Sequence, residues 1–178
     1  MKKFSHIYTK FGDTGTTRTL SGDRVSKDDV LIEVNGDIDS LQVVLDKLIA
    51  FSLYSDILLN QKEILQRVQT LLWQLGGEIS QSQVGGFVTN PISDDHVVEL
   101  ESQIESFELS LDGFQRFSNL AAIEVNEARV RTRRLERTLT QYLRDRQIRD
   151  EVYRYINRLS DYFFALAVKV QDEGVTLS

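Results

Sequence analysis

Apolar residues recur along most of the chain at the spacing of helices that bury one face. Leu41, Val44, Leu45, Leu48 and Ile49 form the first stripe, from about Asn35 onward, with Asp37 or Asp39 placed as its cap. Ile64, Leu65, Val68, Leu71, Leu72 and Leu75 form the second, which is expected to stop at or soon after Gly76-Gly77. Gly85-Gly86 and Pro91 mark a loop, after which Ser93-Asp94-Asp95 opens a third helix bearing Val97, Leu100, Ile104 and Phe107. A long fourth helix is predicted from about Phe117 to Arg146, and a fifth carries Val152, Ile156, Leu159, Phe163 and Leu166. Five amphipathic helices on short connections predict an all-α, five-helix bundle.

The first 34 residues break the pattern. Residues 7–22 hold three glycines and five threonines with no helical period, which predicts ordered loop or turn structure too short to be a domain. A single domain over 1–178 is therefore expected, with a loop segment at 1–34 and a bundle at 35–175. No internal repeat or low-complexity tract interrupts it.

Composition narrows the chemistry. At 178 residues, with 41% hydrophobic and 27% charged residues, the chain is long enough to bury its own core. It has no cysteine, which removes disulfides, thiolate metal sites and cysteine nucleophiles. His6 and His96 are the only histidines, so no protein metal centre is expected. A net charge of −6 argues against nucleic acid as a partner. The longest apolar run, Tyr162 to Val168, is seven residues, far short of a membrane span. No signal-like hydrophobic stretch follows Met1, and a cytoplasmic location without membrane association is expected.

Three segments carry candidate chemistry. In the N-terminal loop, successive glycine N–H groups and threonine hydroxyls form a cradle suited to phosphate oxygens, with Lys10, Arg18 and Lys27 as cations. It is not a Walker A sequence, and an ordinary turn is the plainer reading of this segment by itself. In the fourth helix, Arg129, Arg133 and Glu136 fall within about 60° of each other, at i, i+4 and i+7. Stacked like charges there invite an anionic partner, against the alternative of a solvated, salt-bridged face. In the fifth, Asn157, Ser160 and Asp161 are polar neighbours on a largely apolar helix, suited either to inter-helix hydrogen bonds or to a pocket.

In combination these segments resemble the trimeric, propanediol-utilisation-type ATP:cob(I)alamin adenosyltransferases. The resemblance rests on Tyr8-Thr9-Lys10-x-Gly12-Asp13-x-Gly15-x-Thr17, Arg24-Val25-Ser26-Lys27-Asp28-Asp29 and Leu71-Leu72-Trp73-Gln74-Leu75-Gly76-Gly77-Glu78. Arg133-Arg134-Leu135-Glu136-Arg137 and Asn157-Arg158-Leu159-Ser160-Asp161-Tyr162 complete it, in family order over nearly the whole chain. It implies a homotrimer with interfacial ATP sites, Mg2+ bound mainly through the nucleotide, and a corrinoid as second substrate. The implied reaction moves the 5′-deoxyadenosyl group of ATP to the cobalt of cob(I)alamin and releases triphosphate.

By the same resemblance, Thr9, Gly12, Asp13, Gly15, Thr17, Arg18 and Lys27 surround the phosphates, joined by Arg133. Glu136 and Asn157 lie near the nucleoside, and Asp39 pairs with Arg129 of a neighbouring subunit. The departures cluster on the corrinoid side. The family's Asp-Glu-Leu-Asn is Asp39-Ser40-Leu41-Gln42 here, and its histidine and threonine around the second-last helix are Asn126 and Val130. Its Phe-x-Leu-Pro-Gly-Gly turn becomes a longer, proline-free Phe107-Glu108-Leu109-Ser110-Leu111-Asp112-Gly113-Phe114. Phe107 and Phe114 are the two candidates to press on the corrin. Two readings follow: a divergent but active adenosyltransferase, or a nucleotide-binding relative that has lost alkyl transfer and serves as a sensor or interaction module.

Overall fold

A computed structural model describes residues 10, 12–81, 90–110, 113 and 115–173. The described chain opens with a small antiparallel hairpin, β1 (Thr16–Arg18) and β2 (Arg24–Ser26), in which Thr17 lies opposite Val25. Helices α1 (Val30–Phe51), α2 (Asp56–Asn60), α3 (Lys62–Ile79), α4 (Asp94–Ser106), α5 (Leu120–Tyr142) and α6 (Asp150–Asp172) follow. The five long helices form the expected bundle. α5 lies between α1 and α6, α4 packs on α6, and α3 packs on the opposite side of α1.

The apolar stripes converge as their spacing requires. Leu41, Leu45, Leu72, Leu135, Leu159 and Phe163 are all fully buried in one continuous core. Polar pegs set the helices' rotation about that core. The buried carboxylate of Asp37 accepts a 2.6 Å hydrogen bond from the Thr138 hydroxyl and a 2.7 Å bond from Arg134 Nε, joining α1 to α5. Gln42 Nε2 donates to the Gln69 carbonyl at 2.8 Å, joining α1 to α3. Tyr162, also fully buried, donates its hydroxyl to Gln61 Oε1 at 3.0 Å, and burial raises its pKa well above the usual phenol value.

The start of α1 differs from the sequence expectation, whereas α3 ends soon after Gly76-Gly77 as expected. α1 begins at Val30 rather than near Asn35, because the Asp29 carboxylate caps it by accepting from the Leu31 amide at 2.8 Å. Asp37 and Asp39 are therefore interior helical residues, not caps, and Leu31 and Val34 extend the buried stripe backwards. α3 runs through Gly76-Gly77 to Ile79. Gly76 serves close helix approach there: a Cβ at this position would stand 3.1 Å from Asn35 Oδ1. α4 starts as expected behind Ser93, whose backbone N–H donates to His96 Nδ1 in a capping box.

The hairpin is moored to one end of the bundle. The Leu20 amide donates to the Ser80 carbonyl at 3.1 Å, beyond the end of α3. Arg146, in the turn between α5 and α6, donates to Asp29 Oδ2 at 2.9 Å and lies over the Tyr142 ring. Next to it, Arg149 grips Glu78 with two nitrogens and the Ile92 carbonyl with a third, fixing the last turn of α3.

Two outcomes follow from these pegs. Asp37→Ala should cost about 1–2 kcal/mol in urea unfolding. Thr138 retains its 3.2 Å bond to the Arg134 carbonyl, and half-exposed Arg134 rehydrates, so the loss stays below that of a sealed ion pair. Arg146→Ala should leave the bundle's thermal midpoint nearly unchanged while the hairpin loosens. Hydrogen exchange at the amides of 16–26 is expected to quicken roughly fivefold, the equivalent of one partly exposed charge-assisted bond.

Candidate functional site

The N-terminal candidates gather in and around the hairpin. The Gly15 amide donates to the Gly12 carbonyl at 3.2 Å and the Lys27 amide to the Gly15 carbonyl at 2.9 Å, folding 12–27 into a closed loop. The Lys27 ammonium lies against Gly12, where a Cβ would come within 3.0 Å of it. Arg24 donates from Nε to Thr16 Oγ1 at 2.9 Å and from Nη2 to Thr14 Oγ1 at 3.3 Å. Glycine carbons, threonine hydroxyls and the cations Arg24 and Lys27 thus share one small loop, with Asp13 and Arg18 exposed on it. Lys10 is exposed at its entrance, and Thr9 lies outside the described residues. Arg24 was not among the sequence candidates. Its position two residues along from the Thr16–Ser26 pair is the signal that brings it beside the threonines.

On α5 the contrast between neighbouring arginines is sharp. Arg131 pairs with Glu127, and Arg134 with Asp37 and Glu33. Among the described residues, Arg129, Arg133 and Arg137 have no carboxylate partner. They recur at i, i+4 and i+8 and so form one column. Arg129 is steadied by a 2.8 Å bond from Nε to Asn126 Oδ1, and its pKa is lowered by partial burial and by nearby Arg133. Arg137 extends the column beyond the sequence candidates, by a spacing that was legible in the sequence. Beside the column, Glu136 Oε1 accepts from Asn157 Nδ2 of α6 at 2.8 Å, so these two candidates do meet. Ser160 is buried and bonds to its own helix at the Asn157 carbonyl.

Within one chain the two groups stay apart. Among the described residues no hydrogen bond or ion pair links Gly12, Asp13, Gly15, Thr17, Arg18 or Lys27 to Arg129, Arg133 or Glu136. Arg129 and Arg133 lie roughly 180° and 140° around α5 from Thr138, which faces α1, at 100° per residue. The hairpin lies at one end of the bundle, where Thr19, Asp23 and Val25 share a cleft with the end of α3 and with Tyr142 and Arg146.

Asp39 is exposed at the wall of a cavity of about 400 Å³ between α1, α3 and the hairpin. Leu20, Ile38, Trp73 and Gly76 supply much of its lining. Phe107 is not at any surface that a ligand reaches. It is 7% exposed and stacked on Tyr162 with ring centres 6.2 Å apart, because the turn after α4 folds it into the core. Phe114, the other candidate to face the corrin, lies outside the described residues. Among the described residues no three His, Asp or Glu side chains converge as a metal-binding group. No helix in them is long and apolar enough to cross a membrane.

The arrangement offers two half-sites for a polyanion, one of backbone and hydroxyl donors, one of guanidinium forks. Comparison with known proteins gives that polyanion a context. The sequence matches the cobalamin adenosyltransferase family over residues 7–170. A corrinoid adenosyltransferase of Citrobacter freundii is 35% identical over 166 residues, covering 90% of this chain and 92% of the relative. A variant PduO-type ATP:corrinoid adenosyltransferase of Lactobacillus reuteri, solved with ATP, superposes with a TM-score of 0.82 at 29% identity, over 93% of this chain and 94% of the other. A second variant of that enzyme, complexed with cobalamin and ATP, gives a TM-score of 0.78 at 28% identity, over 91% and 89%. This chain belongs to the cobalamin adenosyltransferase family.

Proposed function

We propose that the protein transfers the 5′-deoxyadenosyl group of ATP to the cobalt of cob(I)alamin, with its active sites built between the chains of a homotrimer. The observation that carries this reading is the column Arg129–Arg133–Arg137, left without carboxylates on a helix whose other arginines have them. Membership of the cobalamin adenosyltransferase family supports the triphosphate of ATP as the anion for this column.

The separation of the half-sites within a chain favours a shared site. The outward face of α1 carries Asp39 and Val43, acidic and apolar, with Val43 58% exposed. The outward face of α5 carries Ile123 and Val130, both exposed, beside the arginine column. Two different, complementary surfaces on one chain make a head-to-tail contact, which closes into a ring under three-fold rotation. Such a ring brings Asp39 to Arg129 of the next chain, and the hairpin's Gly12, Asp13, Gly15, Thr17, Arg18 and Lys27 to its Arg133. Glu136 and Asn157, already bonded to each other, then flank the nucleoside.

The reaction asks little acid–base work of the protein. The cobalt lone pair of cob(I)alamin attacks C5′ of ATP; the Co–C bond forms as the C5′–O bond breaks, and the bonding electrons leave with triphosphate. Cobalt passes formally from +1 to +3, so no external oxidant enters. What the chain must do is hold C5′ in line and stabilise charge gathering on the leaving oxygens. Arginine forks and backbone N–H groups suit both tasks. Mg2+ brought with the nucleotide would supply further charge neutralisation beside the cations Lys27 and Arg133. A cytoplasmic setting, where ATP is abundant, fits this chemistry.

Arg133→Ala should raise the calorimetric Kd for MgATP about tenfold or more, the scale of one lost charge-assisted contact. Unchanged affinity would remove the triphosphate from this column. Light scattering should give about 61 kDa, three chains of 20.4 kDa, whereas a monomer would dismantle the shared site. With MgATP and chemically reduced cobalamin, absorbance should report the adenosylated product. Nucleotide binding without any product would point instead to the sensor reading.

A further inference from the structure

We propose that Asn126 is a positioning residue: its amide oxygen aims Arg129 while leaving the guanidinium's charge and both Nη groups to an anion from outside the chain. The inference rests on the reading of the α5 column as an anion site. Asn126 and Arg129 are three residues apart on α5, and both are partly buried. Arg129 Nε donates to Asn126 Oδ1 at 2.8 Å, and among the described residues this is the guanidinium's one hydrogen bond. Its outer edge, Nη1 and Nη2, has none among them.

Other arginines of this helix show what a neutral amide avoids. Glu127, four residues before Arg131, accepts from both its Nε and its Nη2, at 3.3 and 3.0 Å. Asp37 accepts from Arg134 Nε at 2.7 Å, and Glu33 stands 3.8 Å from its Nη2. Each of those contacts orders a guanidinium and also neutralises it. The acidic residues flanking Asn126 are drawn elsewhere: Lys47 of α1 holds Glu124 at 3.0 Å and Glu127 at 3.2 Å. Arg129 is thus left beside an acceptor that carries no charge. Burial and the nearby Arg133 charge both disfavour its cationic form and lower its pKa. An incoming anion relieves both effects, and a fork already aimed loses less side-chain freedom on binding it.

The test is calorimetric binding of MgATP, with light scattering on each protein, for wild type, Asn126→Ala, Asn126→Asp, Arg129→Ala and the double variant Asn126→Ala/Arg129→Ala. Asn126→Ala frees the Arg129 side chain and should raise Kd about threefold to fivefold. Asn126→Asp keeps an acceptor of the same shape but adds a carboxylate to the column, and should raise Kd about tenfold or more. That order, aspartate worse than alanine, marks a neutral positioner, because a merely structural acceptor is served as well by aspartate. In the Arg129→Ala background, Asn126→Ala should change Kd by less than about twofold, since its effect runs through the arginine. Asn126→Asp no weaker than Asn126→Ala overturns the proposal and leaves the adenosyltransferase reading intact, as does an undiminished effect of Asn126→Ala without Arg129. Loss of mass in Asn126→Asp alone supports it, the neutralised fork then failing toward the next chain. Loss of mass in Asn126→Ala assigns the amide to the subunit contact itself and overturns it. Wild type that binds no MgATP overturns the reading and the proposal together.

Discussion

The rotation of α5 about its own axis governs what this protein presents to a ligand. Leu135, Leu139 and Ala128 commit one face to the core, but an apolar face alone leaves a helix some freedom to roll. The buried Asp37 carboxylate removes it, because Arg134 and Thr138 must both reach the same two oxygens. Once those two positions face α1, the geometry of 3.6 residues per turn turns Arg129 and Arg133 outward. Their cationic forks are then held in register by a contact on the other side of the helix. A group at this site is positioned by packing that it does not itself touch, as preorganised electrostatics requires.

That organisation suits a reaction whose nucleophile arrives with the substrate. A reduced cobalt centre needs no base to activate it, so a chain with two histidines loses nothing catalytically. His96 is in fact spent on the cap of α4. The demand falls on charge instead. Triphosphate departs as a strong anion, and arginine meets it with paired N–H donors that stay protonated under any cellular condition. Neutralising these arginines with protein carboxylates would weaken that grip. Arg131 and Arg134 have carboxylate partners, whereas among the described residues the column beside them has none.

The bundle was legible in the sequence because burial writes itself as a period, and every long stripe became a helix. What escaped were features that depend on polar groups behaving against type. Asn35-Gly36-Asp37 reads as a helix start, yet Asp37 is buried and paired across 101 residues of sequence, a contact no local pattern announces. The glycine- and threonine-rich segment was readable as ordered turn structure, but its folding into a hairpin, and the reach of Arg24 to Thr14 and Thr16, needed coordinates. Phe107 had two readings in the sequence, on the apolar face of α4 and as a candidate toward the corrin. An aromatic at the end of an amphipathic helix serves the core or the surface equally well in sequence, and Tyr162 provides the partner that settles it inward.

The uneven departure from the family pattern also has a physical reading. Recognition of a polyphosphate is geometric: donors must point along particular lone pairs, and an arginine replaced by lysine loses its fork. Seating a large apolar disc is closer to packing, where the same area can be covered by different side chains from different helices at small cost. Selection can therefore hold the triphosphate half nearly letter by letter while the corrinoid half drifts. On this view Ser40, Gln42, Val130 and the lengthened turn after α4 are not marks of a lost activity. They are what a surface made mainly of contact area, rather than of directed bonds, is free to exchange.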